Sequence, residues 1–236
     1  MIVAIHQPAY LPWLGYFHKI LHADLFVLLD TVQMEKNGFA NRNRVWAPNG
    51  VQWLTVPVLM KGHTHSTLGE MRINPAVSWK AKHLKTLALS YGKRPHYLRY
   101  AGDIERLLAG SGEELTPFLA RMLEYFLQAL GMGEKRVVRA SALAPEGKAT
   151  TLLLDICKKA GATAYLSGVA GKEYLDLTHF DEAGIEVVFQ DFHHPRYGQG
   201  RPQFEPNLAA VDALFNLGGE EVLELLKGAG GVAGRE

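Results

Sequence analysis

The first thirty residues constrain the fold most. Met1 to Ile5 is apolar and reads as a short buried strand. Pro8 and Pro12 block regular structure in the loop from His6 to Pro12. A helix is expected from Trp13, with Pro12 near its first turn and Leu14, Phe17 and Leu21 on one face. Asp24 to Asp30 then holds an unbroken apolar run, the pattern of a strand buried on both faces. Strand, helix and strand in this order make a βαβ unit, whose two strands run parallel.

The remaining segments extend that pattern. Residues 31–50, rich in Asn, Gly and charge, read as a long loop. Val51 to Leu59 reads as a third, mostly buried strand, and Lys61 to Ser66 as a polar loop. Helices are expected over Trp79–Ser90 and about Tyr97–Leu108. In the next helix Thr116 can cap, Pro117 suits the first position, and Phe118, Met122, Phe126 and Leu130 share a face up to Gly131. Strands follow at Arg136–Arg139, Ala162–Leu166 and Ile185–Gln190, with helices at Thr150–Ala160 and Tyr174–Ala183. The expected fold is α/β: an open, mostly parallel sheet with a helical insert at about residues 79–130. One domain would span residues 1–227. The glycine-rich end, residues 228–236, has nothing to bury and is expected to be a flexible tail.

Composition removes several function classes. The single cysteine, Cys157, excludes an intrachain disulfide, and its apolar surroundings mark a buried hydrophobe. No basic segment precedes the interrupted apolar N-terminus, so no signal peptide is expected. No apolar run approaches the ~20 residues of a membrane span. A reducing, cytoplasmic home without membrane attachment follows. The net charge is +1, yet eleven basic residues stand against Glu70 alone between Lys36 and Gly102. Such a block suits an anionic partner. If that partner is a tRNA, Trp79, Lys82, Lys93, Arg94 and Arg99 should form one continuous face.

The strand ends locate the chemistry. Ligands of open α/β sheets bind beyond the carboxyl ends of the strands. His6, Gln7, Tyr10, Trp13 and Tyr16 lie on the segment leaving the first strand, and Asp30 ends the second. His6 can act as a general base near neutrality, and Asp30 can hold an amine or a hydroxyl. Asn41, Arg42, Asn43 and Arg44 offer two guanidinium forks and two amides for a carboxylate or phosphate. Trp79, Lys82 and His83 share a helical face, with either stacking and phosphate binding or simple core packing as their role. Ser167 and Gly168 open a glycine-containing strand-to-helix turn that exposes backbone N–H groups, without the Walker spacing. The glycine-rich dinucleotide fingerprint is absent, which disfavours NAD, and no cofactor is indicated. His63 and His65 are two apart and His193 and His194 adjacent, which suits no common zinc spacing.

Several segments together resemble the WbqC-like protein family. They are IHQPAYLPWLGYFHKI (5–20), ADLFVLLDTVQ (23–33), NRNR (41–44), WLTVP (53–57), WKAKH (79–83), YLSG (165–168), HPRYGQ (194–199) and DALFNLGG (212–219). Thr31 stands where that family commonly has an acid, and Ala209 where it often has a serine. The resemblance implies transfer of a glycyl or similar acyl group to an amino sugar in surface-polysaccharide (O-antigen) biosynthesis. It adds His194 as a second candidate base, with Tyr197 and Gln199 beside it as substrate-binding candidates. The partner it implies is an anionic small molecule such as a nucleotide-sugar, with an aminoacyl donor. A second similarity, to nucleotidylyltransferases of the HIGH superfamily, lies in the strand, proline loop and helix order. Trp13 and Tyr16 stand where that superfamily has its two histidines. An adenylate-forming or nucleotidyl-transferring enzyme, and a non-catalytic nucleotide-sugar or RNA-binding module, are the alternatives.

Overall fold

A computed structural model describes residues 1–35, 38–59 and 66–234. β1 (Ile2–His6), α1 (Leu14–Leu21) and β2 (Leu25–Leu28) form the expected parallel unit, with Val3 opposite Leu25 and His6 opposite Leu28. A hairpin of β3 (Arg42–Ala47) and β4 (Gly50–Thr55) comes next. It is followed by α2 (Lys80–Tyr91), α3 (Tyr97–Ala109) and α4 (Leu115–Ala129). The chain returns to the sheet as β5 (Arg136–Arg139), α5 (Thr150–Ala160) and β6 (Ala164–Ser167). It ends with α6 (Gly171–Tyr174), α7 (Leu177–Glu182), β7 (Glu186–Phe192), α8 (Ala210–Leu217), α9 (Gly219–Lys227) and β8 (Gly230–Ala233).

The central sheet has the order β5-β2-β1-β6-β7-β8, parallel except for β8. Counted along the chain, the five parallel strands stand in the order 3-2-1-4-5 of a Rossmann arrangement. Alternate strand residues feed two cores. Ala4, Phe26, Leu28 and Leu166 pack with α1, α4, α8 and α9. Val3, Ile5, Val27, Tyr165 and Val187 pack with α5 and α7 on the other face. Cys157 belongs to the second core, and burial pushes its thiol up to about 12. Among the described residues, no helix is long and apolar enough to cross a membrane.

Four local expectations need correction. Residues 42–47 are a strand, not loop, because Asn43, Val45 and Ala47 turn inward while the alternate residues stay partly exposed. The third strand is shorter than expected and belongs to this hairpin; its Val51, Gln52 and Trp53 are exposed. Thr116 caps nothing: its buried hydroxyl donates to the Leu68 carbonyl at 2.8 Å, and α4 starts at Leu115. The expected helix over Tyr174–Ala183 breaks at Leu175, and Asp176 caps the second piece through Thr178 N at 3.1 Å. At the other end of α4, Gly131 (φ 71°) closes the helix, its N–H on Gln128 and that of Met132 on Leu127. The glycine-rich end buries little, but Gly230–Ala233 pairs with β7. His63, His65 and most of the loop expected at Lys61–Ser66 lie outside the described residues.

Candidate functional site

The strand order reverses between β1 and β6, and a cavity of about 810 Å³ opens where their carboxyl ends diverge. Ile5, His6, Gln7 and Trp13 form one wall. Val32, Gln33, Glu35 and Phe39, after β2, form another. Leu152, Tyr165, Gly168, Gly171 and Tyr174 close the α5 and β6 side. Lys19 reaches in from α1.

His6 is held tightly. Its Nδ1 lies 3.1 Å from the Gln7 carbonyl, which can only accept, so Nδ1 carries the proton. The Tyr16 hydroxyl donates to the same carbonyl at 3.1 Å. The ring also meets the edges of Trp13 and Tyr16, at centroid distances of 5.5 and 4.8 Å. Nε2 keeps its lone pair, with no hydrogen bond from the described residues. Burial first, and the Lys19 charge second, lower the imidazole pKa to about 4, well below the near-neutral value expected from the sequence, so the ring is neutral at pH 7.

Lys19 is almost fully buried. Its Nζ donates to the Ile5 carbonyl at 2.9 Å, and burial lowers its pKa to about 7. Glu35 sits across the cavity, accepting from Gln7 Nε2 at 3.4 Å. Aromatic rings lead away from the cavity: Trp13 to Phe39 at 5.4 Å, then Phe39 to Trp53 at 5.8 Å, with the Arg42 guanidinium 4.4 Å over Trp53. No group of three or more metal-ligating side chains occurs among the described residues.

His6, Gln7, Trp13 and Gly168 are the candidates that line the cavity, and Tyr16 and Ser167 adjoin it. The others lie elsewhere: Tyr10, Asp30, Asn41 and His194 do not line the cavity with His6. Asp30 is buried and takes hydrogen bonds from Ser141 N at 2.8 Å and Ser141 Oγ at 2.7 Å, joining the ends of β2 and β5. Tyr10 and His83 share a 2.8 Å hydrogen bond in the core beside Trp79 and Phe118, and Lys82 is exposed. Trp79 is buried, so it does not share an exposed face with Lys82; Lys80 Nζ lies 6.0 Å from its ring centroid. Asn41 Nδ2 donates to Val56 O, and Arg44 binds Glu205 and the carbonyls of Pro206 and Asn207. Asn43, fully buried, holds the Leu11 carbonyl at 2.6 Å, where the loop takes a left-handed turn (φ 44°). His194 binds the Pro195 carbonyl and packs near Tyr197 and Phe204. Tyr197 donates to Asp212, and Gln199 holds the backbone at Glu205.

Lys19 and Glu35 escaped sequence reading. Lys19 lies three residues after Tyr16 on a helix whose remaining central side chains are buried, which was the available signal. Glu35 sits in what reads as featureless loop.

The WbqC-like family model matches residues 7–224. The chain belongs to the WbqC-like protein family. An uncharacterized protein of Mycobacterium tuberculosis is 34% identical over 220 residues, covering 92% of this chain and 94% of its own. No solved structure matches the chain. The family match begins at Gln7 and spans β1's exit, the hairpin and the strand-to-helix turn after β6; it takes in the cavity's lining residues apart from Ile5 and His6.

Proposed function

We propose that this WbqC-like protein transfers an acyl group, glycyl or a close relative, to the amine of a nucleotide-linked amino sugar. The observation that carries this reading is His6: a neutral imidazole with its Nε2 lone pair unused, fixed on the wall of the switch-point cavity. The acceptor amine attacks the acyl carbon, a C–N bond forms, and the donor's leaving group departs with the electrons of the broken bond. The amine proton passes to His6 Nε2. An imidazolium of low pKa holds that proton weakly and gives it readily to the leaving group. Glu35 across the cavity is placed to hold the incoming ammonium, whose first proton leaves to solvent so that the neutral amine attacks. The position at the strand-order reversal suits a nucleotide-linked ligand.

That same position favours one second reading, an adenylate-forming or nucleotidyl-transferring enzyme. A thermal-shift screen separates the two. UDP-linked amino sugars should raise the melting temperature of wild type, and ATP should not. Stabilisation by ATP alone would favour the second reading.

A further inference from the structure

The cavity contains a buried amine without a counter-charge. Lys19 is 4% exposed, and its single hydrogen bond goes to a neutral acceptor, the Ile5 carbonyl. An ammonium has three N–H donors, so two remain unused. Among the described residues, no ion pair is made to Lys19; Glu35, the acid in the cavity wall, is bonded to Gln7 instead. Burial of an unpaired ammonium is costly, and a buried, perturbed lysine in a cleft marks a candidate for binding or catalysis. Arg44, which the sequence offers for an anion, is occupied by Glu205 and two carbonyls.

We propose that Lys19 is the receptor for an oxyanion of the ligand, a phosphate or a carboxylate, bound within the cavity beside His6. This rests on the reading of the cavity as the ligand site, but not on acyl transfer as its chemistry. The bound anion supplies the missing counter-charge and the acceptors for the two free N–H groups. It also keeps the reacting end of the ligand within reach of His6, whose pKa the Lys19 charge already lowers.

The titratable groups lining the cavity with Lys19 are His6 at the end of β1, Glu35 after β2, Tyr165 on β6 and Tyr174 on α6, with Tyr16 on α1 against the His6 ring. His6 titrates near 4, and burial raises all three tyrosines above their ordinary range. A change in anion affinity between pH 6 and 8.5 therefore reports Lys19.

Sulfate, which keeps its charge across that range, is the probe for a phosphate, and acetate for a carboxylate. Binding to the wild-type chain is followed by calorimetry at pH 6.0 and 8.5, with the Lys19 ¹³Cε resonance read in parallel. With a pKa of about 7, only the protonated fraction binds, so affinity should fall by about 30-fold at the higher pH. The bound anion should also move the ¹³Cε titration upward. Lys19→Met should abolish both the binding and its pH dependence, while Lys19→Arg should retain binding that no longer varies with pH. A preference for sulfate or for acetate assigns the anion, and either supports the proposal. Equal binding by wild type and Lys19→Met, or a ¹³Cε titration that neither anion moves, would overturn it. No transfer activity is needed, so failure of the acyl-transfer reading leaves this result standing, and the reverse also holds.

Discussion

Lys19→Met tests the energetics of the buried amine directly. In the folded chain the Lys19 pKa falls from 10.5 to about 7, and desolvation is the cause. At about 1.4 kcal/mol per pH unit, that displacement is a penalty on the order of 5 kcal/mol for keeping the charge inside. Because the folded pKa lies below the unfolded one, the unfolded chain holds more protons between about pH 7 and 10.5. The penalty is full below pH 7 and disappears above 10.5, so wild-type stability rises with pH through that window. Methionine fills a similar volume without charge, at the cost of the hydrogen bond to Ile5, about 1–2 kcal/mol. Lys19→Met should therefore be more stable than wild type at pH 7 by about 2–3 kcal/mol. The difference should shrink steadily toward pH 9.5. Urea unfolding of both chains at pH 6.5, 7.5, 8.5 and 9.5 measures it. A methionine variant less stable than wild type at every pH, by a constant amount, would refute the reasoning and make Lys19 an ordinary structural lysine.

Two further outcomes follow from the same physics. His6, His18 and His83 are each held neutral by burial, with pKa values lowered to about 4. The unfolded chain takes up these protons first as pH falls from 6.5, so stability should drop by at least about 1.4 kcal/mol per pH unit between pH 6 and 4.5; a flat urea midpoint there contradicts the burial of these rings. Asn43→Ala removes the amide holding the Leu11 carbonyl and should cost about 2–3 kcal/mol, with faster amide exchange across residues 7–12; unchanged exchange would show that the loop holds its shape without Asn43.

The sheet was legible because its signals are local and apolar. The runs at Ile2–Ile5, Leu25–Leu28 and Ala164–Leu166 can be buried only as central strands, and Gly131 and Gly161 mark helix ends by their backbone freedom. The β3–β4 hairpin was missed although its signal is present: Asn43, Val45 and Ala47 alternate with Arg42, Arg44 and Trp46 ahead of a Pro48-Asn49 turn. Two asparagines and two arginines outweighed that period. The site was half legible. The carboxyl-end rule found His6, Gln7, Trp13 and Gly168, because position after a strand fixes them. It failed for Asp30, as the anion-binding reading did for Asn41 and Arg44, since sequence does not reveal which polar side chains find protein partners; Asp30 is spoken for by Ser141, Asn41 by the Val56 carbonyl and Arg44 by Glu205. Lys19 is the converse case: an ordinary surface-type residue in sequence whose significance comes only from burial without a partner.

The central claim is that the His6 cavity performs acyl transfer to an amino sugar. It is tested most directly by mass spectrometry of a reaction holding the chain, a UDP-linked amino sugar and an activated glycyl thioester. Wild type should yield the glycyl amide, at a rate falling by at least about 100-fold in His6→Gln while the fold and nucleotide-sugar binding persist. Amide formation at equal rates by wild type and His6→Gln would contradict the account.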